Sequence, residues 1–144
     1  MKVYIAGPFF NDKQIEIVEK VKEILEENFI EYHSPKDHSL YKPGGSITPK
    51  QCFESNIEEI KECDFIIAIT DGLDAGTLFE CGAAYILNKE ICYLWVDNHS
   101  KKFNLMLSES ASALCYSYED LDNAIEWRNV YKVWPNVNVK GEVE

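Results

Sequence analysis

The sequence predicts an α/β fold built on a parallel sheet with helices on both faces. Three observations carry this. Short, almost wholly apolar runs recur at residues 2–6, 64–70 and 91–96, as expected of strands covered on both faces. Segments with apolar residues at helical spacing lie between them. Strands and helices alternate about five times, and a βαβ alternation folds as parallel strands joined by crossover helices.

Taken in order, residues 2–6 (KVYIA) read as a buried strand stopped by Gly7-Pro8. Residues 13–29 place Ile17, Val21, Ile24 and Leu25 on one helical face. Residues 30–33 suit a second strand. Residues 34–47, with two prolines and two glycines, read as a loop, long enough to suggest a functional one. Thr48-Pro49 opens a helix to about residue 62, with Thr48 as N-cap and Pro49 at the first helical position. Residues 64–70 form a strand, 71–76 (DGLDAG) a turn and 77–88 a helix. Residues 91–96 form another strand. A short helix over 103–107, a short strand over 113–116 and a helix over 119–131 follow. Residues 1–132 are thus expected as one domain, and 133–144 as a tail without periodicity.

The chain has 144 residues, which suits a single domain, and a formal net charge of −11. That charge argues against nucleic acid and anionic membranes as partners, since both require clustered Lys and Arg. The N-terminal apolar run is too short for a secretory signal, and no segment is long and apolar enough for a membrane helix, so a cytoplasmic protein is expected. The five cysteines include no CxxC pair and fit free, mostly buried thiols. No paired Cys/His, HxH or HExxH spacing supports a metal site, and none is expected.

In an open parallel sheet, ligands bind at the carboxyl ends of the strands, near the switch in strand order. Three loops leave such ends: 7–12, 71–76 and 97–102. The first, with the single Gly7, lacks both GxGxxG and GxxxxGK[ST] patterns, so no phosphate cradle is expected. Phe9 and Phe10 are either a stacking wall for a flat ring or packing under the sheet edge. The block DGLDAGTLFECGAAY is richer. Glu80 follows Thr77 by three, as in a capping box, which is one reading of it. The other is a carboxylate in the crevice, kept ionised by the helix N-terminus and suited to nucleophilic attack. Asp74 is either a solvated turn residue or a proton donor opposite Glu80, with Asp71 competing for that role. Gly76 leaves room for a ligand.

The segments VYIAGPFF, NIEEIKECDFIIAIT, DAGTLFECGAAY and FNLM, in this order between about residues 3 and 107, resemble the nucleoside 2-deoxyribosyltransferases. The glutamate lies inside a D-x-G-x-x-x-E-x-G frame. The resemblance implies a flavodoxin-like, doubly wound five-stranded sheet. It implies an oligomer built from dimers, often a hexamer, and transfer of 2-deoxyribose between nucleobases without a cofactor. Glu80 resembles the nucleophile that forms the deoxyribosyl–enzyme intermediate. Tyr4 matches the tyrosine holding that carboxylate, and Asp74 the aspartate that contacts the base and helps its protonation. Asn104 and Met106 match residues contributed to a neighbouring subunit's pocket, the asparagine taking the sugar 5′-hydroxyl. Asn56 stands where some members carry an aspartate, which shifts the expected base preference more than the reaction. Loop 33–50 and the chain after residue 107 align poorly with the family.

The chemistry fits the residues. A 2-deoxyribosyl cation forms more easily than a ribosyl one. A carboxylate below the ring stabilises it and closes on C1′, a protonated base leaves, and a second base attacks with net retention. A 2′-hydroxyl would crowd Glu80, which predicts discrimination against ribonucleosides. Two other readings compete. A hydrolase of 2-deoxynucleoside 5′-monophosphates needs cationic or Ser-rich phosphate contacts, and loop 7–14 offers only Lys13. A receiver-like signalling module needs an acidic pair where the chain has Gly7-Pro8.

Overall fold

The computed structural model describes residues 1–38, 41–97 and 102–135. Five strands form one all-parallel sheet: β1 (Lys2–Ala6), β2 (Glu31–His33), β3 (Phe65–Ile69), β4 (Glu90–Leu94) and β5 (Ala113–Cys115), in the order β2-β1-β3-β4-β5. This is the flavodoxin-like order, with its switch point between β1 and β3. The expected fold class is therefore the observed one.

The alternation of side chains along each strand divides the core. Val3, Ile5, Phe65, Ile67 and Ile69 point to the face covered by α1 (Asp12–Glu27) and α6 (Tyr118–Tyr131). Tyr4, Ala6, Ile66, Ala68, Ile91 and Tyr93 point to the opposite face. There they meet α3 (Pro49–Glu62) and α4 (Ala75–Ile86), with Ile60, Cys81 and Ala84 as the buried helical contacts. Every residue of β3 is buried, which explains its unbroken apolar sequence.

Local chemistry sets the helix ends. Asn11 caps α1 by accepting from the Gln14 amide. Thr48 caps α3 as expected, and the reciprocal Gln51 bond completes a capping box the sequence reading did not include. Helix α1 ends at Glu27, two residues short of the predicted end, where Asn28 closes the helix and Phe29 takes a left-handed φ of 58°. The expected loop over 34–47 contains one helical turn, α2 (Pro35–His38). It is anchored to α1 because the Asp37 carboxylate lies 2.5 Å from the buried Lys22 ammonium. The short helix expected at residue 103 begins later, as α5 (Leu105–Ser110). Phe103 instead inserts into the core beside Tyr93.

Cys52 is half-buried and Cys63, Cys81, Cys92 and Cys115 are buried, and none forms a disulfide. Trp134, in the segment read as tail, lies edge-on to Phe65 at 4.8 Å between ring centroids and packs against the core. Residues 136–144 and most of loop 97–102 lie outside the described residues. Among the described residues, no helix is long and apolar enough to cross a membrane.

Candidate active site

The site assembles at the β1/β3 switch point, from β1 and the segment joining β3 to α4. At the mouth of β1, a Cβ on Gly7 would lie 2.9 Å from Ile69 Cδ1 and 3.0 Å from its Cβ. Only glycine lets these strand ends approach so closely. Beyond it, Phe9 and Phe10 tilt against each other at 5.1 Å, Phe9 half-buried and Phe10 74% exposed. Neither ring belongs to a core cluster, and the Phe10 ring is exposed.

After β3 the chain reverses through a tight turn. The Leu73 amide donates to the Thr70 carbonyl, Gly72 takes a φ of +80° and Leu73 a φ of +50°. Left-handed leucine is strained by roughly 1–2 kcal/mol. The turn delivers Asp74 as the N-cap of α4, its Oδ2 accepting from the Thr77 amide and from the Thr77 hydroxyl. Helix α4 therefore begins at residue 75 rather than 77, and Thr77 is a buried first-turn residue, not a cap. The Thr77/Glu80 capping box does not form. Asp71, the rival to Asp74, accepts from the Val96 and Asp97 amides and ties the end of β3 to the end of β4.

Freed from capping, Glu80 sits in the second turn of α4, half-buried, and its Oε2 accepts a hydrogen bond from the Tyr4 hydroxyl. Burial pushes the Glu80 carboxyl up to about 7; the Tyr4 hydrogen bond opposes this rise, and the Asp74 charge adds to it. The expected helix-dipole effect is thus outweighed by desolvation, since the dipole fades beyond the first turn. The Tyr4 hydroxyl is itself held far above its ordinary value, first by burial and then by the Glu80 charge, so it is a permanent donor.

The remaining candidates are placed around this pair. Asn56, on α3, donates to Cys52 Sγ at 3.9 Å. Gly76 is exposed in the first turn of α4, where a Cβ would lie 3.3 Å from Asp74 Oδ2. Asn104 caps α5, accepting from the Met106 and Leu107 amides. Met106 is 74% exposed and lines a cavity of about 330 Å³ between α4 and α5, with Leu78, Tyr85 and Tyr93. Among the described residues, neither Asn104 nor Met106 hydrogen-bonds to Tyr4, Asp74 or Glu80 within one chain. No cluster of three or more metal-ligating side chains occurs among the described residues.

One neighbour of the site was missed. His33, which the sequence places only at the end of the second strand, is buried and stacks on Tyr4, with ring centroids 5.6 Å apart and an interplanar angle of 14°. The signal lay in the strand pairing: β1 and β2 run parallel with Tyr4 opposite His33.

The family model for nucleoside 2-deoxyribosyltransferases matches residues 3–126. The chain belongs to the nucleoside 2-deoxyribosyltransferase family. It is similar to a 2-deoxyribosyltransferase from the psychrotolerant bacterium Bacillus psychrosaccharolyticus, at 27% identity over 95% of this chain and 100% of that one, with a TM-score of 0.76. A conserved protein from Enterococcus faecalis shares the fold at 23% identity and a TM-score of 0.75, over 89% of this chain and 98% of that one. So does a CMP N-glycosidase, BcmB, from Clostridium botulinum, at 21% identity and 0.63, over 88% and 98%. No curated protein matches the chain significantly. Membership makes the chain an enzyme of the nucleoside deoxyribosyltransferase type.

Proposed function

We propose that the protein transfers 2-deoxyribose from one nucleobase to another by a retaining double displacement through a deoxyribosyl–Glu80 intermediate. The observation that carries this reading is the Tyr4–Glu80 hydrogen bond at the switch point. It occupies Oε2 and leaves Oε1 to attack. In the first step an Oε1–C1′ bond forms and the glycosidic C–N bond breaks. Its electron pair passes to the departing base, which is protonated with the help of Asp74. In the second step another base attacks C1′ through a ring nitrogen and gives up its N–H proton by way of Asp74, while the C1′–Oε1 bond breaks and Glu80 leaves as a carboxylate. Gly7, Phe9, Phe10, Asn56 and Gly76 border the substrate, with Phe10 offering an open aromatic face.

Free nucleosides are favoured over 5′-monophosphates. Lys13, the cation of the first loop, is engaged by Asp97 at 2.6 Å rather than facing an empty phosphate position. Asn104 and Met106 are assigned to the pocket of a neighbouring copy in a dimer-based oligomer. This agrees with the exposure of Met106. A cytoplasmic role in deoxynucleoside salvage, without a cofactor, follows from this reading.

The test is product analysis. Deoxyinosine plus adenine should give deoxyadenosine and hypoxanthine. Base release from a deoxynucleoside monophosphate, without exchange between free nucleosides, would replace transfer by nucleotide N-glycosidase activity.

A further inference from the structure

We infer that His33 is a positioning residue for the proposed reaction: its buried imidazole, tethered to Glu59, stacks on the Tyr4 ring and holds the Tyr4 hydroxyl on Glu80. The inference rests on the proposed use of Glu80 as nucleophile, and adds a residue that does not touch the substrate.

The geometry is specific. Parallel pairing sets Tyr4 opposite His33 on the face covered by α3 and α4. The rings lie nearly parallel, at 14°, and His33 is only 7% exposed. On the side of α3, His33 Nδ1 lies 3.5 Å from Glu59 Oε2, and the same oxygen is 2.6 Å from Lys2 Nζ on β1. The groups that face the imidazole include Glu59 from α3 and Tyr4 from β1, with Lys2 behind Glu59. Burying an imidazole beside an ion pair is costlier than burying a leucine of similar volume, so packing alone does not explain it.

The leverage is mechanical. The Tyr4 hydroxyl sits at the far end of a rigid ring, so a small tilt at Cβ displaces it by about 1 Å, a misplacement that costs on the order of a hundredfold in rate. A flat neighbour across the ring face prevents that tilt. The Tyr4 bond in turn lowers the protonation midpoint of Glu80, so losing it leaves more of the nucleophile protonated at neutral pH.

The experiment is a double-substitution cycle with two readouts. His33→Leu keeps the volume without a flat ring, His33→Phe keeps the ring, and each is combined with Tyr4→Phe. His33→Leu should lower kcat for base exchange by about tenfold to a hundredfold, with KM changed less than about threefold. His33→Phe should recover most of that loss. In the Tyr4→Phe background, His33→Leu should have no further effect. The second readout, the Glu80 carboxyl midpoint followed by carbon NMR, does not depend on activity. His33→Leu should raise it, His33→Phe should not, and the shift should vanish in the Tyr4→Phe background. An unmoved Glu80 midpoint in His33→Leu overturns the positioning role, as does an equal loss of kcat with and without the Tyr4 hydroxyl. If the unaltered protein exchanges no bases, the proposed reaction fails, while the midpoint series still decides the role of His33.

Discussion

The Tyr4 hydroxyl, on the first strand, donates to the Glu80 carboxylate in the second turn of α4, 76 residues further along the chain. The parallel sheet makes this possible by placing β1 beside β3, the strand whose exit turn starts α4.

The first prediction concerns pH. A nucleophilic Glu80 must be ionised, so kcat/KM for base exchange should fall on the acid side with a midpoint near 7. Tyr4→Phe removes a bond that favours the ionised form and should move that midpoint upward. Steady-state rates across pH, for both forms, check this.

The same group affects stability with a definite sign. Its folded-state value lies above the ordinary carboxylate value, so the folded state binds the proton more tightly. Glu80 therefore stabilises most below about 4.5, and that contribution is lost as pH rises through about 7. Glu80→Gln should remove this loss and raise stability by about 2 kcal/mol at pH values above about 7.5, with little effect near about 4. Urea unfolding at both pH values measures the difference.

Asp74 has an observed role as a cap and a proposed one in base release, and the two are separable. As N-cap it satisfies the Thr77 amide and hydroxyl. Asp74→Ala should cost about 1 kcal/mol of stability by loss of the cap, whereas Asp74→Asn keeps a capping oxygen. Both should slow base release, because neither side chain carries a proton to the leaving base. Thermal melts together with exchange rates separate the cap from the chemistry. An Asn variant with unaltered kcat would leave Asp74 only the cap.

The anchoring of loop 34–47 gives a stability prediction. Lys22 is buried and held by Glu19 at 2.9 Å and Asp37 at 2.5 Å. Asp37→Ala leaves a buried ammonium with half its partners and should destabilise by about 1–3 kcal/mol. Chemical denaturation reads this directly.

Sharing of sites between copies is tested by complementation. Glu80→Ala and Asn104→Ala should each be nearly inactive alone. Co-refolded, they should regain activity, because a hybrid dimer then contains one site with both residues intact. No recovery would return Asn104 to its structural role as the α5 cap.

Much of this was legible in the sequence. The unbroken run FIIAI and the alternation of elements specify the parallel sheet, since only a strand buried on both faces is apolar at every position. Thr48-Pro49 marks a helix start because its signals are local. Glu80, Asp74 and Tyr4 were singled out, and the Tyr4–Glu80 contact forms. What was misread depends on non-local burial. The start of α4 was placed at Thr77 because a T-x-x-E pattern imitates a cap, while the Leu73 turn that puts Asp74 there requires a left-handed leucine that propensity disfavours. The protonation of Glu80 was misjudged because desolvation by the sheet outweighs a helix end one turn away. His33 was overlooked because its partner is set by strand pairing, not by sequence spacing.

The most direct measurement is a rapid-quench mass analysis of the protein mixed with a 2-deoxynucleoside in the absence of acceptor base. Nucleophilic attack by Glu80 predicts one added deoxyribosyl group on the peptide containing position 80, discharged by added base and missing from Glu80→Gln. Base exchange at an unchanged rate in Glu80→Gln, with no adduct on that peptide, would contradict it.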